Sequence, residues 1–195
     1  MFFSSRVLMN FSWALGVVCL CASLARGQAP GTAHKWAVVL HGGAGVIARD
    51  SMTPQAEADY RAGIKEALDA VRAHPEIHQG LLTGNQREGA RLKLSHLGIW
   101  DYFEFGAYAD DSHIRDELGP FALARAKEKL GIDFPPERVY VIGDTPHDVA
   151  CGKAIGAKTI AVATGSYTVE QLAALNPTHT FADLSDTDGL LRVVL

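Results

Sequence analysis

The sequence predicts an α/β fold in which a parallel sheet is covered by helices. Three observations carry that prediction. Beyond residue 78, strand-sized apolar runs alternate with helical stretches, and the connections between them are short. The chain has 195 residues, of which 48% are hydrophobic and 21% charged, which is the size and composition of one ordinary domain.

Taken in order, Trp36 to Leu40 is an apolar strand that runs into the glycine-broken turn His41-Gly42-Gly43-Ala44-Gly45. From Thr53 to His74 the spacing of Ala56, Tyr60, Ile64, Leu68 and Val71 predicts a helix, with Thr53 as its cap and Pro54 at its first position. Gln79–Asn85 reads as a strand ending in a small polar turn and Arg87–Ile99 as a helix. Tyr102–Asp111 reads as a strand with its exit loop, followed by a helix starting near Pro120. Arg138–Thr145 is a strand, Pro146–Ala157 a helix capped by Gly156, Lys158–Gly165 a strand, Thr168–Leu175 a helix and Thr178–Leu184 a short last strand.

The first 27 residues look like a targeting segment, with Arg6, an apolar run from Val7 to Ala25, and the small residues of Ala25-Arg26-Gly27 before a cleavage point at Gln28. The competing reading is an uncleaved membrane anchor, because the run approaches the ~20 residues that span a bilayer. Asn10, Ser12 and Ser23 speak against it. Membrane contact is expected only if this segment stays attached.

A formal charge of −4 gives no basic field for a phosphate backbone, so nucleic acid is excluded as a partner and a small molecule is expected. Cys19, Cys21 and Cys151 build neither a disulfide framework nor a zinc spacing, and the eight histidines form no paired-ligand pattern. Nothing in the pattern fixes an oligomeric state.

Two polar clusters fall at strand ends, where open parallel sheets bind ligands. The first is Thr83-Gly84-Asn85, whose hydroxyl and backbone N–H groups suit a phosphate oxygen but equally suit a plain turn and helix cap. The second is Val141-Ile142-Gly143-Asp144-Thr145-Pro146-His147-Asp148. Carboxylates four apart at a helix start lie on one side and can face one hard cation such as Mg²⁺; alternatively both are capping acids favoured by the helix dipole.

From about Val71 onward, "GLLTGN", "GAYADDSHIRDELGPFALARAKEKLGI", "RVYVIGDTPHDVACGKAIGAKTIAVATG" and "DLSDT" resemble the second half of a haloacid-dehalogenase-type (HAD) hydrolase, of the phosphoglycolate-phosphatase-like branch. The resemblance implies a Rossmann-like three-layer fold and Mg²⁺-dependent hydrolysis of small phosphoesters. It implies that Thr83 contacts the transferred phosphoryl group, with Gly84 and Asn85 beside it, and that Asp144 binds Mg²⁺ with Asp148 in support. A basic residue before the Gly119–Ile132 helix should steady the phosphate. The usual Lys-Pro-x-Pro would place that Lys at Glu117, so Arg115 is the candidate; the other reading pairs Arg115 with Asp111 or Glu117.

The sequence departs from the family at the nucleophile. HAD enzymes attack phosphorus with the first Asp of DxDx[TV] at the end of the first strand, and none stands upstream of Thr83. Asp50, Asp59 and Asp69 are the aspartates there, and none ends a strand. In its place, residues 36–70 resemble the start of the isoaspartyl peptidase/L-asparaginase group of N-terminal-nucleophile hydrolases, carried by His41 to Gly45; the glycine run also reads as a tight turn. That group's activity needs a threonine freed in a Gly-Thr-Val-Gly context, which this chain lacks. The expected organisation is therefore a leader (1–27), an isoaspartyl-peptidase-like segment (28–70) and an incomplete HAD-like core (71–195), a chimera joined near Ala67 to His74. In the core the cap and nucleophile segment are missing, so turnover is expected to be impaired; a non-catalytic Mg²⁺- or phosphate-binding remnant is the other outcome. If the Trp36–Leu40 strand fills the gap in the sheet, His41 falls near the nucleophile position. The leader implies export and the family a cytoplasmic enzyme.

Overall fold

A computed structural model describes Trp36–Gly42 and residues 54–195. The leader, the glycines after Gly42 and the Thr53 cap lie outside the described residues. Six strands form one parallel sheet: β1 (Trp36–Gly42), β2 (Ile77–Thr83), β3 (Phe105–Ala107), β4 (Val139–Gly143), β5 (Lys158–Val162) and β6 (His179–Phe181). The helices between and after them are α1 (Pro54–Arg72), α2 (Arg87–His96), α3 (Leu118–Leu130), α4 (Pro146–Ala154), α5 (Val169–Ala173) and α6 (Thr187–Val194). The strand order is β3-β2-β1-β4-β5-β6, and every neighbouring pair is parallel.

The expected α/β class, with its three layers, is what forms. β1 fills the centre of the sheet: its backbone runs from Trp36 beside Ile77 to Gly42 beside Thr83, and Leu40 lies beside Ile142. The chain order reverses there, with β2 and β3 to one side and β4 to β6 to the other. The crevice beyond the carboxyl ends of β1 and β4 is therefore the topological switch point, where such sheets bind ligands.

Residues of β4 alternate between two cores. Tyr140 and Ile142 join Leu68 and Val71 of α1, Ala90 of α2 and Leu190 and Val194 of α6. Val139 and Val141 join Leu118, Ala122 and Ala126 of α3 and Cys151 of α4. This period of two is the pleat of a sheet buried on both faces.

Helix α1 runs into the expected junction near Ala67 to His74, ends there at Arg72, and is tied to the elements downstream. Gln79 Nε2 donates to the Leu68 carbonyl at 3.4 Å, the Tyr102 hydroxyl donates to Asp69, and Arg72 stacks 4.2 Å from the Tyr102 ring while donating to the Asp101 carbonyl. Pro54 is the first helical residue, as its fixed φ favours.

Three elements differ from expectation. The third strand covers only Phe105–Ala107, because Trp100–Tyr102 form a 3-10 turn that offers the Tyr102 ring to α1. α3 begins at Leu118, ahead of Pro120, continuing a 3-10 turn at Arg115–Glu117; a proline in the first helical turn removes no intrahelical bond. After the last strand an unforeseen helix, α6, starts at Asp186, whose carboxylate accepts from the Gly189 N–H at 2.8 Å. Its eight residues include Gly189 and paired valines and carry little intrinsic helix preference; burial of Leu190 and Val194 makes it. Gly156 ends the α4 turn at φ 71°, as expected of a left-handed stop.

If α1 is an integral layer, Leu68→Ala lowers unfolding free energy by about 2–5 kcal/mol. Urea denaturation with an unchanged slope checks this, and a cost below about 1 kcal/mol would show that α1 packs only loosely.

Candidate functional site

Asp144 follows β4 directly at the switch point and is 5% exposed. Its Oδ1 is buried with no hydrogen-bond partner among the described residues. Burial, and then the neighbouring Asp148 charge, push the Asp144 carboxyl up to about 7; its own backbone amide and the Arg115 guanidinium pull the other way. Because this lies above the ordinary 3.8, the fold is favoured while the group is protonated and loses stability as pH rises through 7. Ionising this carboxyl in the fold costs on the order of 4 kcal/mol by that shift.

Asp148, 2% exposed, sits in the first turn of α4. One oxygen accepts from the Thr145 N–H at 2.9 Å and from the Thr145 hydroxyl at 2.8 Å. The capping role weighed for these acids is thus real for Asp148, and its partner Thr145 escapes the sequence reading. The other oxygen lies 4.0 Å from an Arg115 guanidinium nitrogen.

Arg115 therefore faces the acids of the site. Of the acids named as its alternative partners, Asp111 is gripped by both terminal nitrogens of Arg125, at 2.5 and 2.6 Å, and Glu117 accepts from the Ser112 hydroxyl at 2.7 Å. Arg125 also donates to the Gly106 carbonyl at 2.8 Å, so this pair anchors the loop that carries the chain from β3 towards Arg115.

Two glycines make room for the acids. Gly143 has no left-handed backbone; a Cβ there would stand 2.4 Å from the Asp148 side chain. A Cβ at Gly165, in the loop after β5, would stand 2.4 Å from Asp144 Oδ2. The sequence presents Gly165 only as the end of a strand. Its sole signal is a glycine after an apolar run at the ligand-binding edge.

Thr83 ends β2 and is 1% exposed. Its hydroxyl accepts from the Asn85 backbone N–H at 3.1 Å and from Asn85 Nδ2 at 2.9 Å, while Asn85 Oδ1 accepts from Lys93 at 3.0 Å. This is the turn geometry weighed against phosphate contact. The N-cap of α2 is Gln86, and the helix's first N–H, at Arg87, donates to Asp110 at 2.6 Å. Gly84 has open space on its Cβ side. Thr83 and Asp144 flank the end of β1 from either side, so two strand spacings, roughly 10 Å, separate their backbones.

The donor set suits a hard divalent cation: two carboxylates, one with a buried oxygen lacking a partner, approached closely by glycines. Among the described residues no third His, Cys, Asp or Glu joins them. By register the residues between Thr83 and the end of β4 are His41 and Gly42.

Two buried carboxylates with Arg115 beside them stand at the switch point of an open parallel sheet. Residues 117–187 match the HAD-hydrolase-like family. It is 32% identical over 124 residues to pyrophosphatase PpaX of Bacillus velezensis, covering 63% of this chain and 55% of that protein. It is 28% identical over 139 residues to the phosphoglycolate phosphatase of Rhodospirillum rubrum, covering 71% of this chain and 56% of that one. The chain thus spans little more than half the length of these curated relatives. A HAD-family hydrolase from Deinococcus radiodurans, solved with bound phosphate and sodium, superposes with a TM-score of 0.55 at 21% identity, covering 71% of this chain and 63% of that one.

Two outcomes are expected from the electrostatics. Asp144→Asn removes the buried charge and should raise the melting temperature by roughly 4–8 °C in chelator at pH 8; a fall would mean that the carboxylate is satisfied in the folded chain. Asp111 is held below its ordinary 3.8 chiefly by the Arg125 hydrogen bonds, so its contribution is present above that value and lost as pH falls through the lower folded one. Asp111→Asn should cost about 1–3 kcal/mol at pH 7, and urea midpoints should show the gap to wild type closing in acid.

Proposed function

We propose that this site is the metal and phosphate half of a Mg²⁺-dependent HAD-type phosphatase acting on small phosphoesters, of phosphoglycolate-phosphatase-like kind. The observation that carries the reading is the partnerless oxygen of buried Asp144 at the switch point. Asp144 would hold the cation, with Asp148 in support. The ion would neutralise charge on the phosphate and on the oxygens exchanged in transfer.

Arg115 steadies a phosphate oxygen and balances the two acids. Thr83, with the N–H groups of Gly84 and Asn85, orients the phosphoryl group from the other side of β1; to do so its hydroxyl turns from its Asn85 contacts. The end of β1 offers His41 and Gly42 in place of an aspartate, so the covalent step lacks its usual carboxylate and turnover is impaired.

The domain plan of leader (1–27), isoaspartyl-peptidase-like segment (28–70) and HAD-like core (71–195) belongs to the same proposal, as does export directed by the leader, with a cytoplasmic enzyme as the other localisation. Among the described residues no helix is long and apolar enough to cross a membrane. The His41 to Gly45 run motivates an isoaspartyl peptidase or asparaginase reading of the chain, which the relatives do not favour.

Mg²⁺ should raise the melting temperature of the wild type and leave Asp144→Asn unmoved, while p-nitrophenyl phosphate is hydrolysed slowly and only with Mg²⁺. Equal Mg²⁺ stabilisation of the variant, or hydrolysis that survives the substitution, would sink the metal assignment. Release of aspartate from an isoaspartyl dipeptide would favour the second reading.

A further inference from the structure

At the Thr83 turn three side chains are linked in a row. Lys93, exposed on α2, donates from Nζ to Asn85 Oδ1 at 3.0 Å. Asn85 Nδ2 donates in turn to Thr83 Oγ1 at 2.9 Å, beside the Asn85 backbone N–H at 3.1 Å. The turn is held from a second direction, because the Asn85 carbonyl accepts from the Ala109 N–H at 3.0 Å, beyond the end of β3.

The chemistry of these groups fixes which way the amide points. An ammonium only donates, so the amide atom beside Lys93 is the oxygen and the atom beside Thr83 is the nitrogen. That NH₂ group only donates as well, so the Thr83 oxygen serves it as acceptor and the hydroxyl proton is directed elsewhere. Reversed, the amide would set its nitrogen against the Lys93 charge and its oxygen against Thr83, where it would claim the hydroxyl proton. A hydroxyl whose proton is claimed meets a phosphate with lone pairs alone.

We infer that Lys93 is a positioning residue: by holding Asn85 Oδ1 it keeps the Asn85 amide from reversing, and so reserves the Thr83 hydroxyl proton for the phosphoryl group. This rests on the reading of Thr83 as a phosphate contact. Lys93 acts through Asn85, so its effect is lost where the amide is absent. An exposed ammonium adds little to folding, so the effect falls on anion binding and not on stability.

Titration calorimetry with inorganic phosphate in the presence of Mg²⁺ tests it without requiring turnover. Lys93→Met should weaken phosphate binding about five- to tenfold while the melting temperature stays within about 2 °C of wild type. Lys93→Arg, which still donates, should bind within about twofold of wild type, and the charge control Lys127→Met, exposed on α3, should bind as wild type does. In an Asn85→Ala background Lys93→Met should cause no further loss. Equal losses from Lys93→Met in both backgrounds, or no loss in either, overturn the relay and leave the phosphate pocket standing. If the wild type binds no phosphate, or Thr83→Val binds it as tightly as wild type, the reading of Thr83 falls, and the relay with it.

Discussion

The Trp36–Gly42 strand makes backbone ladders to β2 on one edge and β4 on the other, and every other feature of the site depends on that double pairing. Two half-sheets, each too narrow to bury both faces, become one six-stranded sheet. The ladder also sets a distance. With one strand between them, the Thr83 turn and the Asp144 turn stand two strand spacings apart, roughly 10 Å. A parallel strand contributes this through its main chain, so an apolar run of almost any origin can supply it.

The pocket itself is a point of electrostatic conflict. A single buried carboxylate, raised to about 7, would be eased by water, by an arginine in direct contact or by a cation. Gly165 packs against Asp144 Oδ2, and Arg115 stands on the flank, 4.0 Å from Asp148. Thr145 absorbs one oxygen of Asp148, which leaves the partnerless Asp144 oxygen as the place where positive charge is missing. Stability is given up locally to keep that place open.

Much of this is legible in the chain itself. Alternating runs with short links fix a parallel sheet, and a sheet's ligand edge lies at its carboxyl ends, so Thr83 and Asp144 stand out by position before any geometry. Arg115 stands out by its offset from the α3 helix. What escapes depends on contacts between distant segments. Gly165 approaches Asp144 from a loop 21 residues later, and no local pattern encodes that clearance. α6 is a weak helix by propensity and exists because Leu190 and Val194 find the sheet. The short third strand arises because Tyr102 serves as a platform for Arg72 and so leaves the extended run. The split of acid roles is hidden because Thr145 reads as part of a strand, when its N–H and hydroxyl fasten Asp148.

The last helix has a consequence for how the molecule breathes. The Tyr140 hydroxyl, reaching out from β4, donates to the Val193 carbonyl at 2.8 Å and receives from Lys158 at 2.9 Å, so α6, β4 and β5 share one polar stitch within an apolar layer. Undocking of the eight-residue α6 therefore opens the Tyr140 and Ile142 face of the strand whose next turn holds Asp144. Amide protons of β4 are then protected only as well as α6 is docked, and α6 and the Asp144 turn open as a single cooperative unit.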